Sequence, residues 1–151
     1  MAGFTLTSSS FQDGGAIPTR HTCDGQDVSP ALAWEGAPAG TAAFALIVDD
    51  PDARGFVHWV AFNLAGGPSG DLAEAQPAKA FFGQGRNDFG RVGYGGPCPP
   101  AGTHRYRFTL FALSQPLVLS GEPAANELRA AMTVGVLLGQ TTLTGTYARR
   151  R

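Results

Sequence analysis

The 21 glycines and 11 prolines among the 151 residues constrain this chain more than any other feature. They are scattered between apolar runs and form no low-complexity tract. Glycine supplies turn conformations closed to other residues, and proline is excluded from the interior of a sheet. Chain punctuated this often suits short strands and tight turns better than long helices. With 43% apolar residues it can bury one real core, and no linker or internal repeat divides it. The expectation is a single, mostly β domain spanning residues 1–151.

Residues 43–48 (AFALIV) are continuously apolar and stop at Asp49-Asp50-Pro51-Asp52. A short apolar run ended by turn residues reads as a strand buried on both faces. Residues 56–64 (FVHWVAFNL) follow after a short connection. Strict alternation would place His58, Val60, Phe62 and Leu64 on one face and Trp59, Ala61 and Asn63 on the other. Residues 104–113 (HRYRFTLFAL) also alternate, with His104, Tyr106, Phe108 and Leu110 opposite Arg105, Arg107, Thr109 and Phe111. Residues 122–138 have helical spacing at Leu128, Ala131, Met132 and Gly135, with Pro123 in the first turn and Gly139 as the stop. Residues 143–147 make a last strand. Residues 65–102 hold little regular structure, and so long a loop in a compact domain is usually functional.

The net charge of −1 lacks the basic footprint of a nucleic-acid binder. The run Arg149-Arg150-Arg151 reads as a solvated tail. The first residues show neither the basic nor the apolar segment of a signal peptide, and no apolar run approaches a membrane span. A soluble, cytoplasmic protein is therefore expected. Cys23 and Cys98 match no zinc spacing and are too few for a disulfide scaffold. Two buried thiols, one disulfide or one reactive thiol remain open, with buried thiols ranked first for the cytoplasm.

Asp50, Asp52, His58, His104 and Tyr106 all fall at strand ends beside glycine- and proline-rich turns. If those ends are neighbours, two imidazoles, a phenol and two carboxylates share one rim. A glycine-rich loop could add backbone N–H groups arranged as an anion nest. A carboxylate repels an oxyanion, so Asp50 fits best as the acceptor that holds His58 or His104 in a donating state. Two other chemistries use the same residues. Cys98 and His104 could form the nucleophile and base of a hydrolase. Asp50, Asp52, His58 and His104 could ligate a transition metal. Neither a metal nor a cofactor is expected on the preferred reading.

Taken together, DPDA with HW shortly after it, and GRNDFGRVGYGGPCPPAGTHRYRF further on, resemble the phosphatidylethanolamine-binding protein family. The likeness is closest to its bacterial and archaeal, Raf-kinase-inhibitor-like branch. It extends from IPTRHTCDGQDVSPALAWEGAPAGTAAFALIVDDPDA to LRAAMTVGVLLGQTTLTGTYAR, nearly the whole chain. The resemblance implies a β-sandwich with Greek-key topology and a few peripheral helices, one of them near the C-terminus. It also implies a pocket for a small anion such as phosphate or a phosphorylated headgroup. The chain would be a binding module and not an enzyme, acting through protein partners such as kinases or proteases, and often as a homodimer. Carried over by position, the pocket residues are Asp50, Asp52, His58, Gly96, Pro97, His104 and Tyr106. Arg105 faces away and is expected to pair with a carboxylate such as Asp88. Three positions depart from the family pattern: Arg54 replaces a proline that helps wall the pocket mouth, Gly135 replaces a histidine, and His21 replaces an aromatic residue.

Overall fold

The computed structural model describes residues 3–149. The expected solvated tail therefore falls partly outside the described residues, at 150 and 151. Arg149 itself is not free, because its guanidinium pairs with Asp24.

The described residues form eight strands and one α-helix: β1 (Thr5–Thr7), β2 (Leu32–Glu35), β3 (Ala43–Asp50), β4 (Phe56–Ala65), β5 (Gly70–Leu72), β6 (Gly83–Gln84), β7 (Thr103–Leu113), α1 (Ala125–Ala131) and β8 (Leu137–Ala148). They build a three-stranded sheet of order β1-β2-β5 and a five-stranded sheet of order β6-β4-β3-β7-β8. Every neighbouring pair is antiparallel. β3 lies at the centre of the large sheet, and all eight of its residues are buried. This is the environment its continuous apolar run requires, because both faces of the sheet are covered. On one face Phe44, Leu46 and Val48 join Phe108 and Leu110 of β7 and meet Leu6, Leu32, Trp34 and Leu72 of the small sheet. On the other, Ala45, Ile47, Val60 and Phe111 pack under Leu117, Ala125 and Leu128.

β4 departs from the alternation its sequence suggests. Phe62 and Asn63 together oppose Ala45, and His58 has no partner opposite it on β3. Each extra residue makes a β-bulge, which resets the phase of the strand. Asn63 takes a left-handed conformation with φ of 57° and exchanges two hydrogen bonds with the backbone of Leu117. As a result Trp59, Ala61 and Leu64 face the small sheet, while Val57, Val60 and Phe62 face the helix layer. His58 parts from Val60 and Phe62, and its ring meets Phe56 and Tyr106.

The expected helix over 122–138 shrinks to the seven residues of α1. Gly135 adopts φ of 91°, a conformation that glycine tolerates and a helix does not. From Leu137 onward the chain becomes β8 and pairs with β7 from Leu113 to Thr103. That pairing satisfies a ladder of backbone groups on β7 that would otherwise lie at an open edge, and it outweighs the helix expected to run on to residue 138. Gly139, expected to stop a helix, lies inside the strand.

Candidate functional site

β3 and β7 run side by side, so the end of β3 at Asp50 lies close to the start of β7 at His104. Asp50 also caps a short 3-10 turn, Pro51–Ala53, and its Oδ1 accepts the Asp52 N–H at 2.8 Å. Its other oxygen accepts from Nδ1 of His104 at 2.6 Å. The Asp50 side chain is 4% exposed and that of His104 14%. Asp50 can only accept when ionised, so Nδ1 of His104 carries the proton of this bond. Nδ1 serves Asp50 in either state, so Nε2 of His104 donates outward only when the ring is charged.

His58 contributes differently. Its Nδ1 lies 2.7 Å from the Gly95 carbonyl, which can only accept, so Nδ1 carries the proton. Burial holds the pKa of this ring below the ordinary histidine value, against smaller opposing effects from the Gly95 carbonyl and the Asp50 charge. Neutral His58 therefore presents Nε2 as a lone-pair acceptor. Tyr106, two residues along the same face of β7 from His104, is 1% exposed. Its hydroxyl is buried and has no hydrogen-bond partner. Burial, followed by the Asp50 and Asp52 charges, pushes its pKa well above the ordinary tyrosine value, so it stays a neutral donor.

These groups border a cavity of about 230 Å³ lined by Asp50, Ala53, Phe56, His58, Phe89, Cys98, Pro99, Pro100, His104 and Tyr106. No lysine or arginine is among them. Phe89 is set by the loop that follows β6. Asn87 accepts from the N–H groups of Phe89 and Arg91 and donates to the Gly93 carbonyl, folding the loop so that Phe89 meets His58 edge-on.

A family model for phosphatidylethanolamine-binding proteins matches residues 7–148. The chain belongs to the phosphatidylethanolamine-binding protein family. It is 42% identical over 149 residues to the UPF0098 protein of Methanothermobacter thermautotrophicus, covering 95% of this chain and 98% of that one. It is 46% identical to the protein named as lipoprotein LppC in Mycobacterium tuberculosis, over 95% of this chain and 71% of that one. Among solved structures, the phosphatidylethanolamine-binding protein homolog CT736 of Chlamydia trachomatis superposes with a TM-score of 0.91 at 34% identity, covering 99% of this chain and 100% of that one. YbcL of E. coli superposes with a TM-score of 0.86 at 31% identity and the same coverage.

Of the seven positions carried over from the family pattern, Asp50, His58, His104 and Tyr106 border the cavity, and Asp52, Gly96 and Pro97 do not. Asp52 is held outside by Arg105, which binds it through its backbone N–H and its guanidinium. That bonding lowers the Asp52 pKa to about 2. The expected pairing of Arg105 with Asp88 is thus replaced by Arg105–Asp52, and Asp88 instead exchanges hydrogen bonds with the Val57 backbone. The N–H of Gly96 is spent on the Asp27 carboxylate and that of Gly95 on the His58 carbonyl. The expected glycine nest therefore has no free N–H at these two residues. Pro97 turns its carbonyl to the Cys23 N–H. The wall itself is Cys98, Pro99 and Pro100.

Cys98 is bonded to Cys23, 75 residues away in sequence, so the two cysteines form a disulfide and not the buried thiols ranked first. The nucleophile of the hydrolase alternative is thereby removed, because a disulfide sulfur carries no thiolate. The metal alternative also lacks its ligand set: no three His, Cys, Asp or Glu residues among the described residues converge on one point. Disulfides persist mainly in oxidising compartments, so the cytoplasmic expectation gains no support from this cross-link. No helix among the described residues is long and apolar enough to cross a membrane.

The three departures have local explanations. Arg54 ends the 3-10 turn at φ of 57°, which proline cannot adopt, so this backbone has no place for the family's proline. Gly135 occupies the left-handed turn into β8. His21 is buried, bonding Val28 and Ser10 through its ring while its carbonyl accepts the Tyr94 hydroxyl. It braces the loop behind the cavity wall. Sequence phase missed Phe56, Phe89 and the two prolines; the GRNDFGR stretch was the one visible signal for Phe89.

Proposed function

We propose that this chain is a binding module for a small oxyanion, such as phosphate or a phosphorylated headgroup, and not a catalyst. The observation that carries this reading is the buried, unpartnered Tyr106 hydroxyl in the same cavity as the Asp50–His104 pair. A buried donor without an acceptor costs stability unless a ligand completes it. An imidazolium N–H from His104 next to that phenol gives two donors for one oxyanion, and the aromatic and proline walls exclude water around them. The cavity is smaller than the roughly 300–1,000 Å³ of drug-sized sites, which favours a headgroup-sized ligand over one with acyl chains. On this reading the module recognises phosphate borne by a small molecule or by a protein partner such as a kinase or protease, and a homodimer would present two such cavities.

Titration calorimetry with inorganic phosphate at pH 6.0 tests the reading. Saturable binding in the micromolar to millimolar range is expected, weakened at least tenfold in His104→Ala. No heat at millimolar phosphate overturns it.

A further inference from the structure

The hydrogen-bonding groups of the cavity are not all donors, and this bears on the ionic form of the ligand. Resting on the oxyanion reading above, we propose that the cavity takes a proton-bearing phosphate monoanion, RO–PO₂(OH)⁻, and discriminates against both the phosphate dianion and the phosphodiester. The charged P–O⁻ oxygens face Tyr106 and His104, and the P–OH donates to Nε2 of His58.

Three observations converge. First, His58 commits Nδ1–H to the Gly95 carbonyl, which leaves Nε2 as a lone pair. A lone pair repels a bare P–O⁻ and is satisfied by a P–OH. Second, the charge balance inside the cavity is near zero. The ionisable groups facing it are Asp50 from β3, His58 from β4, and His104 and Tyr106 from β7. A charged His104 is neutralised by Asp50 at 2.6 Å. Third, the nearby cations are engaged elsewhere or lie outside the lining. Arg105 is bound to Asp52, and Arg91 lies over the Phe89 ring at 5.5 Å. Arg54 is exposed and does not line the cavity. The remaining neighbours, Asp27 behind Gly96 and Tyr147 of β8, add no positive charge. A second negative charge on the ligand would thus be desolvated without compensation.

A consequence concerns the source of the phosphate. Free phosphate and phosphomonoesters can carry a P–OH; the phosphate of a membrane phospholipid is a diester and cannot. The proposal therefore assigns the cavity to the former and sets it apart from the lipid itself.

The test compares three ligands with the intact wild-type protein by titration calorimetry at pH 6.0, 7.0 and 8.0: inorganic phosphate, phosphoethanolamine as the monoester, and glycerophosphoethanolamine as the headgroup diester. The diester keeps one charge throughout, so it corrects for any pH effect on the protein itself. A monoester whose second pKa is about 6 is half monoanion at pH 6 and about one part in a hundred at pH 8. The ratio of monoester to diester affinity is expected to exceed one at pH 6.0 and to fall by about 50-fold at pH 8.0. Inorganic phosphate should decline in the same direction. In His58→Phe, the monoester at pH 6.0 should drop to the diester's affinity while the diester changes little. A ratio that stays flat with pH, or a diester that binds more tightly at pH 6.0, overturns the proposal and leaves the oxyanion reading standing. Equal losses for both ligands in His58→Phe overturn the P–OH assignment. Absence of saturable binding by all three overturns the oxyanion reading and this proposal together.

Discussion

Replacing Tyr106 with phenylalanine separates what this side chain does for the fold from what it does for the ligand. The ring is 1% exposed and packs in the core between the sheets. Phenylalanine retains that contact and removes only the hydroxyl, which is buried without a partner. An unsatisfied buried polar group costs about 1–3 kcal/mol, and the low end applies here because Tyr106 lines a cavity. Tyr106→Phe should therefore stabilise the unliganded protein by about 1 kcal/mol, which raises Tm by roughly 2–4 °C for a chain of this size. Phosphate binding should move the other way. A hydrogen bond to a charged acceptor contributes about 1.5–3 kcal/mol, so affinity should fall about 10- to 150-fold. Differential scanning calorimetry without ligand and titration calorimetry with phosphate at pH 6.0 read the two effects separately. A lower Tm would mean that the hydroxyl has a structural partner. Unchanged affinity would mean that it does not meet the ligand. Either result refutes the reasoning.

Four further outcomes can be checked. Asp50→Asn removes the carboxylate that holds Nδ1 of His104 and should weaken phosphate binding about tenfold at pH 7, read by titration calorimetry. His58 has a folded-state pKa below its unfolded value, so the unfolded chain takes up the proton first. Its contribution is present above the unfolded pKa near 6.5 and is lost as pH falls toward the folded pKa. Urea midpoints should therefore drop between pH 7 and pH 5, with a shallower drop in His58→Phe; parallel slopes would count against this assignment. Iodoacetamide should label neither cysteine before reduction, and reduction should lower the unfolding free energy by up to about 4 kcal/mol, given the 75-residue separation that the cross-link closes. Fast labelling of Cys98 in unreduced protein would restore the hydrolase alternative. Gly96→Ala would drive a methyl group into the His21 carbonyl and the Asp27 carboxylate and should cost about 2–3 kcal/mol in urea unfolding, although Gly96 does not border the cavity; a loss under about 0.5 kcal/mol would show that the loop yields.

The sequence by itself determined which residues share a face wherever a strand runs without interruption. In β7 the two-residue period grouped His104 with Tyr106 and turned Arg105 and Arg107 to the other side, because side chains alternate across any regular strand. The unbroken apolar run of β3 likewise announced cover on both faces. Asp50 could be named as an orienting carboxylate, but two histidines were open to it. The choice of His104 depended on the β3–β7 pairing, which brings together residues more than 50 positions apart. Wherever distant contacts compete with local pattern, only the tertiary structure decided. The bulges that rotate His58 away from Val60 are set by the β3–β4 register and by Asn63 anchoring Leu117. The helix expected over 122–138 gave way, from Leu137 onward, to pairing with the edge of β7. The wall faces the cavity with Cys98, Pro99 and Pro100 because Gly96 and Pro97 are tied to the loop near Cys23 by hydrogen bonds and a disulfide. A local pattern encodes the phase of one strand. Satisfying buried backbone and side-chain groups is a condition on the whole chain, and it has no signature within a short window of sequence.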